Sequence, residues 1–537
     1  MAHKSNMTHS FSNVPTADIP RSVFNRSHVH KTTFNAGDLI PIYVDEALPG
    51  DTFKLNAALL ARMQTPIVPI MDNLFLETFF FAVPNRLLWD NWEKMNGARD
   101  NPTDSVDYLV PQIPIQNQPI GSMSDYFGLQ IQKAGEYKVS ALPFRAYNLI
   151  YNEWFRDQNI QNSEPINTGD SDDVISDYHV MKRCKRPDYF TSCLPWPQKG
   201  ADVMLPLGDT APVIGDSTSL GLMDGTNALG LCSAPSGTSL TGRQTYETST
   251  IGDVVSTGGN PVNARVLGVS DLASQSGLIA DLSDATAATI NNIREAFQVQ
   301  RMLEKDARGG TRYVELLKQH FKVVSPDFRL QRPEYLGGGS QRISFSSVPQ
   351  TSETDTTEQG RLGAFALGAS PRNGFNKSFV EHCTIIGIAN IRADITYQQG
   401  VNRMWHRRTR YDFYWPVFAH LGEQEVLNKE IYMGVDPDDD KTFGYQERWS
   451  EYRYKPSIIT GDFRSDSNVS LDVWHLAQDF GSRPALNDAF ISDATGTVLN
   501  RTVYFPSEYQ FKMDMFFDLV SVRPMPTYSV PGLVDHF

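Results

Sequence analysis

The stretch GDLIPIYVDEALPGDTFKL, residues 37–55, contains the clearest fold signal in this chain. Two runs of apolar and β-branched residues flank Leu48-Pro49-Gly50-Asp51, and a Pro-Gly pair between two such runs is a turn signal. The stretch therefore predicts two consecutive strands joined by a tight turn.

Similar strand-like runs recur far along the chain. DNLFLETFFFAVPNRLLW (72–89) holds an aromatic apolar run, FVEHCTIIGIANIRADITYQQG (379–400) is rich in β-branched residues, and TVLNRTVYFPSEYQFKMDMFFDLVSVRPM (497–525) supplies a pair near the C-terminus. Proline, of which there are 32, is frequent between these runs, where it is tolerated. Strands at both ends of the chain predict one β-sandwich or jelly roll that carries long excursions.

Three segments have helical periodicity instead. They are FRAYNLIYNEWFRDQ (144–158), DATAATINNIREAFQVQRMLEKDARGG (284–310) and TRYVELLKQHF (311–321). Their apolar residues recur at three- and four-residue spacing, and Gly309-Gly310 is a stop signal. A few short helices are therefore expected within a mainly β protein.

Composition indicates a folded, cytoplasmically made protein. Of the 537 residues, 40% are hydrophobic and 20% are charged, and the formal net charge is -14. No apolar run approaches the roughly 20 residues that cross a bilayer, and the polar start lacks the apolar centre of a secretory signal. The four cysteines have no zinc-site spacing and are expected to be scattered reduced thiols.

The charge is unevenly distributed along the chain. Residues 1–35 carry four Lys or Arg residues against Asp18 alone, which predicts a basic extended arm that orders on a partner if at all. Residues 201–290 carry nine acids against two bases and are rich in Gly, Ser and Thr, which predicts a surface insertion. The remaining segments, 36–200 and 291–537, are expected to supply the two parts of the β fold.

The sequence contains none of the common catalytic or metal-binding motifs. The sequence lacks a Gly-Lys-Ser or Gly-Lys-Thr phosphate loop, H-E-x-x-H and G-x-S-x-G. Acidic clusters at 170–177 and 436–440 lack the spacing of an EF-hand, so solvated loops are expected there. Paired carboxylates for sugar hydrolysis stay open at this point, because their separation is spatial.

The stretch VNRMWHRRTRYDFYWP, residues 401–416, gathers four arginines and five aromatic residues around one acid, Asp412. It is interpreted either as a corner whose arginines pair with a neighbouring subunit, or as a contact for phosphates and unpaired bases. A metal or catalytic site around His406 is a third reading, with no partner ligands in view. A basic arm and a basic loop, opposed to an acidic insertion, would suit a shell that encloses a polyanion.

Several long stretches resemble the major capsid protein of gokushoviruses, which are small icosahedral single-stranded DNA phages of the Microviridae. They are HKTTFNAGDLIPIYVDEALPGDTFKLNAALLARMQTPIVPIMDNLFLETFFFAVPNRLLWDNW, GTRYVELLKQHFKVVSPDFRLQRPEYLGG, GVNRMWHRRTRYDFYWPVF, QERWSEYRYKPSIITGDFRS and LDVWHLAQDF. The resemblance runs from about residue 20 to the C-terminus and is weakest between residues 201 and 290.

The resemblance implies an eight-stranded antiparallel jelly roll of the viral capsid type with long inserted loops. It also implies self-assembly in the host cytoplasm into a T=1 icosahedral shell around circular single-stranded DNA. In this reading residues 201–290 form a protrusion at the three-fold axes that contacts a host receptor. A small basic internal protein is expected to bind the packaged DNA as well. It implies no catalytic motif, no cofactor, no metal and no membrane insertion.

The candidate site residues follow from these readings. The DNA-contact candidates are Lys4, Arg21, Arg26, Lys31, Arg403, Trp405, His406, Arg407, Arg408, Arg410 and Tyr411. The subunit-interface candidates are Trp449, Tyr452, Arg453 and Tyr454, for which local packing is the alternative. The receptor-contact candidates are Asp224, Tyr246, Glu247 and Asp253. The alternative function is a virion-associated carbohydrate-binding protein or glycosidase on a β scaffold.

Overall fold

The computed structural model describes residues 20–201, 203, 290–322, 331–355 and 358–528, together with seven short strand segments between 213 and 280. It divides into two compact units. One unit comprises Met1–Pro197 with Ala307–Phe537, and the other comprises Gln198–Asp306. The larger unit contains the main sheet and all the candidate contact residues outside the predicted insertion.

Strands dominate the described residues. They are β1 (Ser22–Asn25), β2 (His28–Phe34), β3 (Ile40–Ala47), β4 (Thr52–Met63), β5 (Leu74–Pro84), β6 (Gln112–Ile115), β7 (Tyr137–Ser140), β8 (Val213–Gly215), β9 (Gly221–Asp224), β10 (Asn227–Gly230), β11 (Tyr246–Ser249), β12 (Asp253–Ser256), β13 (Pro261–Ala264), β14 (Leu278–Ala280), β15 (Glu334–Pro349), β16 (Leu362–Ser378), β17 (Cys383–Ala393), β18 (Thr396–Tyr397), β19 (Glu423–Leu427), β20 (Thr442–Glu447), β21 (Ala477–Gln478) and β22 (Phe511–Arg523).

The main sheet is antiparallel and runs in the order β1-β22-β4-β16-β15-β5-β17-β3, with β2 also paired to β22. β15 joins its two halves, since the first part of β15 pairs with β5 and the last part pairs with β16. The two halves face each other: the Tyr43 ring of β3 lies 5.4 Å from that of Phe517 on β22, and the Phe80 ring of β5 lies 5.7 Å from that of Phe375 on β16. The predicted antiparallel jelly-roll class is therefore confirmed.

The strand number differs from the expected eight. The main sheet has nine strands within the described residues. Ser22 of β1 lies opposite Arg523 and His28 of β2 lies opposite Phe517, so both strands follow a single register along β22. The extra strand arises because Arg26 and Ser27 interrupt what is otherwise one continuous edge.

The basic N-terminal arm was expected to order only on a partner, and this is corrected for its second half. Residues 22–34 pair with β22 of their own chain. Apolar periodicity gave no signal there because edge pairing uses backbone groups, while Val23 and Val29 stay exposed. Residues 1–19, which include Lys4, lie outside the described residues.

Alternation in the sequence sets which side chains enter the core. Along β4 and β22 every second residue is buried, from Phe53 to Met63 and from Phe511 to Leu519. Since side chains on a strand alternate between faces, the intervening residues lie on the opposite, uncovered face. These strands therefore bury one apolar face in the core, and the opposite face carries their charged residues together with Ala58, Leu60 and Phe516.

β17 behaves differently, since all of its residues are buried. Its second face is covered by helix α3 and neighbouring segments, where Phe144 and Tyr147 pack in one cluster with Phe81, Ile386 and Ile388. The helices are α1 (Trp92–Met95), α2 (Met123–Tyr126), α3 (Leu142–Ile150), α4 (Ile290–Arg308), α5 (Tyr313–Phe321), α6 (Asn428–Ile431), α7 (Asp488–Ile491) and α8 (Thr495–Leu499). One half of the sheet is thus covered on both faces. The three segments predicted to be helical are confirmed, as α3, α4 and α5.

The smaller unit contains the predicted insertion. β8 pairs with β14, β9 pairs with β10, and β11, β12 and β13 form a three-stranded sheet. The unit ends at residue 306 rather than 290 because most of α4 belongs to it. The exposure of its strands lies outside what is described, so its surface location stays a prediction.

Two further expectations concern cysteines and membranes. Cys184, Cys193 and Cys383 are free thiols, and Cys232 lies outside the described residues. Burial raises the pKa of the Cys184 thiol to about 11, which keeps it protonated. Among the described helices, none combines the length and apolarity needed to span a bilayer.

Candidate nucleic-acid interface

The arginine-rich stretch 401–416 contains no strand and folds into short 3-10 turns. These turns span Arg403–His406, Arg410–Asp412 and Pro416–Phe418. Asp412 accepts the backbone N–H groups of Thr409 and Arg408 at 2.7 and 2.9 Å, and these hydrogen bonds hold its pKa below the usual carboxyl range. The one acid of the stretch therefore fixes the loop backbone and does not pair with the neighbouring guanidinium groups.

Two of the four arginines pair with carboxylates inside the chain. Arg403 Nη1 lies 3.0 Å from Glu430 Oε1, and Arg407 Nη2 lies 3.2 Å from Glu451 Oε1. The carboxylate side chains are only 3% and 5% exposed. Burial raises the pKa of Glu430, against the opposing effect of Arg403. Because a buried carboxylate needs a nearby cation, Arg403 and Arg407 offset charges of this chain.

The other two arginines remain at the surface. Arg408 and Arg410 are exposed, and in the described part of the chain neither forms an ion pair. The Arg410 guanidinium lies 4.8 Å from the centre of the Trp415 ring. Trp405 and Tyr411 are 72% and 68% exposed. These four candidates are available to a partner molecule.

His406 is held by local contacts. Its Nε2 lies 3.2 Å from the carbonyl oxygen of Val401, and burial together with Lys429 lowers its pKa. Within the described residues no group of three or more His, Cys, Asp or Glu side chains has the arrangement of a metal site. The third reading of the stretch, a metal or catalytic centre, gains no support from the geometry.

The arm candidates lie at the edge of the main sheet. Arg26 forms a two-pronged ion pair with Asp45, at 2.8 and 2.9 Å, and is thereby neutralised. Arg21 donates to the carbonyl oxygen of Gly50 at 2.6 Å but has no carboxylate partner in the described chain. Lys31 Nζ lies 3.3 Å from Asp514 Oδ1, with both groups well exposed, so the pair is weak.

A basic surface that the sequence reading missed lies beside the arm. Lys512 of β22 is directly opposite Arg62 of β4, and Thr33 of β2 is opposite Lys512 on the other side. Lys54 and Lys31 lie on the same uncovered face. The signal was present, because Lys54, Arg62 and Lys512 occupy the polar positions of alternating strands.

This surface, called the basic face, comprises Lys31, Lys54, Arg62 and Lys512. Four cations share the outer face of these strands with two carboxylates, Asp514 and Asp518. Lys54, Arg62 and Lys512 form no ion pair with any described residue. Like charges directly opposite each other on neighbouring strands destabilise a sheet. The Arg62–Lys512 pair is therefore unfavourable in the isolated chain and would be relieved by a bound anion.

Two grooves flank this pair. The first has a volume of about 630 Å³ and is lined by residues that include Lys31, Arg62, Lys512, Asp125 and Asp514. The second has a volume of about 650 Å³ and also reaches Lys512. Lys512 therefore lies where the two grooves meet, and an extended polar chain could follow both.

The four interface candidates have different environments. Trp449 is 4% exposed, and its Nε1 donates to the carbonyl oxygen of Phe418 at 3.0 Å, so local packing describes it. Tyr454 stacks on Tyr189 with ring centres 5.9 Å apart but remains partly exposed. Arg453 is exposed and pairs with Glu447.

Tyr452 is the interface candidate that remains close to the arginine-rich stretch. Its ring lies 4.1 Å from the Arg407 guanidinium, and its hydroxyl accepts the backbone N–H of Tyr414 at 3.3 Å. It is also 49% exposed. Tyr452 thus belongs to the same surface as the exposed residues of 401–416.

The receptor-contact candidates lie on strands of the smaller unit. Tyr246 and Glu247 are on β11 and Asp253 is on β12, which pair with each other, whereas Asp224 is on β9. Their side chains are outside what is described. Three of the four are thus brought together in one small sheet, and their contact with a receptor stays a prediction.

The acidic clusters are largely engaged by bases and amides of the chain. Asp173 pairs with the buried Arg145 at 2.7 Å and Asp172 pairs with Lys138 at 2.7 Å. In the second cluster Arg483 lies 2.8 Å from Asp436 and 2.7 Å from Asp439. These contacts offset the negative charge of both clusters within the chain, and the expectation of solvated loops is wrong for Asp173 and Asp439, which are buried.

Comparison with known proteins gives consistent matches along the chain. The family model described as "Capsid protein (F protein)" matches residues 12–533. The chain is 48% identical to capsid protein VP1 of Bdellovibrio phage phiMH2K, and the alignment covers 98% of both chains. It is 43% identical to capsid protein VP1 of Chlamydia phage 1, again over 98% of both. It is 38% identical to capsid protein VP1 of Spiroplasma virus 4, over 98% of this chain and 97% of that one.

Proposed function

Because this chain belongs to the phage capsid (F protein) family and is a structural protein of the virion, we propose that it forms a T=1 icosahedral shell around circular single-stranded DNA. The resemblance to gokushovirus capsid proteins is confirmed by relatives that match over nearly their full length. Assembly of copies into a shell follows from the family. The T=1 geometry, the genome and assembly in the host cytoplasm are the proposed parts, as is a role without any catalytic step.

The Arg62–Lys512 pair carries the DNA part of the proposal. Two like charges face each other across neighbouring strands, on a face that the chain leaves uncovered. DNA phosphates would relieve this repulsion, and lysine and arginine neutralise phosphates without reading the base sequence. The basic face therefore turns inward in the proposed shell.

The remaining partners are also proposals. We place residues 201–290 on the outside, as a three-fold protrusion whose β11 and β12 present the receptor-contact candidates. A small basic internal protein would share the neutralisation of the genome, since a net charge of -14 leaves this chain a poor DNA condenser by itself. No membrane insertion is involved.

The test uses particles that carry Arg62→Gln together with Lys512→Gln. The expected result is shells that retain less nuclease-protected DNA per shell. For single-stranded DNA, each lost phosphate contact reduces the steepness of log affinity against log salt by about 0.7. For subunits with two fewer contacts, this slope should therefore be shallower by about 1.4. The matched control is Lys133→Gln with Arg361→Gln, two exposed residues without ion pairs in the described chain.

Equal DNA content in the variant and the control would contradict the assignment of the basic face. Wild-type shells without protected DNA would contradict the proposed function itself. A native mass of the shell that does not correspond to the T=1 copy number of a 60.2 kDa chain would contradict the proposed geometry.

A further inference from the structure

The second half of the arginine-rich stretch and two residues near it carry a group of partly exposed, mostly aromatic side chains. This group, called the aromatic patch, comprises Tyr411, Phe413, Tyr414, Trp415, Val417 and Tyr452. The exposed fractions of these side chains range from 42% for Trp415 to 87% for Val417. Exposed aromatic and apolar side chains grouped in this way indicate an interaction site.

Contacts link several members of the patch, and Val417 belongs to it as the chain neighbour of Phe418, whose ring lies 6.2 Å from that of Tyr411. The Tyr414 ring lies 6.3 Å from that of Tyr452, and Trp415 Nε1 donates to the carbonyl oxygen of Arg410 at 3.2 Å. Beneath them Trp449 is buried, with its ring 5.6 Å from that of Tyr414. The patch therefore stands on a packed base and is not a set of unsupported loop residues.

The chain's own arginines cover ring faces that a nucleic acid would need. The Arg407 guanidinium lies 4.1 Å from the centre of the Tyr452 ring and 5.6 Å from that of Phe413. Arg410 lies 4.8 Å from the centre of the Trp415 ring. Base stacking uses free aromatic faces, and a guanidinium already lies over one face of the Tyr452 ring and one face of the Trp415 ring. Val417, the most exposed member, can neither stack on a base nor neutralise a phosphate.

The composition matches a protein interface. Such interfaces are enriched in Tyr, Trp, Phe and Arg, and their buried centres are depleted of acids and lysine. Five of the six patch residues are Tyr, Phe or Trp, and Arg408 and Arg410 are cations at its border without ion-pair partners in the described chain. A partner surface with apolar residues and carboxylates would complement it.

We propose that the aromatic patch is a subunit interface that is covered by a second copy of this chain in the shell. The proposal rests on the proposed function, because a shell of identical copies supplies a partner at high local concentration. In a closed shell, a surface patch can meet a different patch of the neighbouring copy and repeat around the symmetry axes. Obligate interfaces of this kind are large and apolar.

The test is Val417→Asp, introduced into the phage genome and followed after transfection of host cells. The substitution places a charge in the proposed apolar contact while removing almost no contact within the chain. The matched control is Val380→Asp, since Val380 is 88% exposed and lies on a different loop, between β16 and β17. Shell yield is measured by sedimentation and electron microscopy, and DNA content by nuclease protection.

The expected result is a shell yield at least tenfold lower for Val417→Asp than for Val380→Asp, with soluble subunits that melt at the wild-type temperature. A normal shell yield would overturn the proposal, and reduced DNA in those shells would assign the patch to the genome instead. Equal loss in both variants would also overturn it. Failure of the proposed function would be visible separately, as wild-type particles that lack DNA.

Discussion

Arg407 and Glu451 form an ion pair that is shielded from solvent, with Nη2 3.2 Å from Oε1 and side-chain exposures of 11% and 5%. The same guanidinium lies over the ring of Tyr452. Its neighbour Arg408 is exposed and has no ion pair among the described residues. Two adjacent arginines that look equivalent in the sequence therefore serve different purposes, one inside the chain and one at its surface.

This difference predicts unequal effects on stability. Arg407→Ala leaves the Glu451 carboxylate buried without its cation, which is expected to lower the free energy of unfolding by about 3–5 kcal/mol. Arg408→Ala is expected to change it by no more than about 0.5 kcal/mol. Denaturant unfolding of purified subunits measures both, and similar values for the two variants would contradict the structural role of Arg407.

The sequence was sufficient to predict the strands but not the partners of the arginines. β3 and β4 follow from the two apolar runs that flank Pro49-Gly50, because such runs and turn signals are local properties of the sequence. The carboxylate partners of Arg403 and Arg407 lie 27 and 44 residues farther along the chain. Nothing in local spacing identifies a contact of that kind, so the sequence alone assigns both arginines to a neighbouring subunit or to DNA.

For the basic face, the sequence indicates which side chains point away from the core but not which of them lie opposite each other. Lys54, Arg62 and Lys512 occupy the outward positions of β4 and β22, and Lys31 lies on β2, so the alternation of β4 and β22 places only the first three on the side away from the core. Alternation does not predict their alignment across the sheet, since that depends on which strands pair and in which register. The sequence likewise does not indicate that the arm pairs with β22, because edge strands pair through their backbones and need no apolar pattern.

A second prediction concerns Glu77 on β5, which accepts hydrogen bonds or ion pairs from Arg183, Arg186 and Arg392. Burial alone would raise the pKa of Glu77, but the three cations outweigh it and hold the pKa below its usual range. Glu77→Gln leaves the three guanidinium groups without this charge, so a loss of about 3–5 kcal/mol is expected.

The pH dependence provides a control for that prediction. A carboxylate with a depressed pKa contributes stability above its unfolded pKa, and this contribution is lost as pH falls through the folded pKa. Wild-type subunits should therefore lose part of their stability below about pH 4.5. The Glu77→Gln variant should not show this acid-induced loss. A variant with the wild-type acid profile would indicate that Glu77 is not the group responsible.

A third prediction concerns the smaller unit. Gly215 of β8 lies opposite Leu278 of β14, so a short glycine linker can replace residues 216–277 at the base of one hairpin. If the unit is a display element, the shortened chain should assemble particles in normal yield but attach poorly to host cells. Adsorption assays with particle counts by electron microscopy measure both properties.

Point substitutions separate display from folding in the same unit. Tyr246→Ala with Glu247→Gln on β11 should weaken attachment if this sheet touches a receptor, while Asp224→Asn on β9 tests the other strand pair. Loss of particles with the shortened chain would show that the unit is needed for assembly. Normal attachment of particles with the shortened chain would show that the smaller unit has no role in host recognition.

A fourth prediction follows from Asp493, whose Oδ1 accepts hydrogen bonds from the hydroxyl and the backbone N–H of Thr495 at 2.7 and 3.1 Å. Its Oδ2 is buried without a hydrogen-bond partner, and burial raises the pKa of Asp493 to about 6. Between about pH 4 and pH 6 the folded chain therefore keeps a proton that the unfolded chain releases, so this residue makes stability fall as pH rises through that window.

Asp493→Asn should remove this dependence, because the amide oxygen can still accept both Thr495 hydrogen bonds and no charge is buried at any pH. The expected gain at pH 7 is on the order of 2–3 kcal/mol, reduced by any unmet hydrogen bond of the new amide group. Thermal melting of subunits at pH 4, 5, 6 and 7 measures the effect, with Asp466→Asn as the exposed control. If melting temperature depended on pH in the same way for the wild type and Asp493→Asn, the prediction would be wrong. Asp493 would then be ionised across this range, and its buried charge would have to be offset by a group outside the contacts described above.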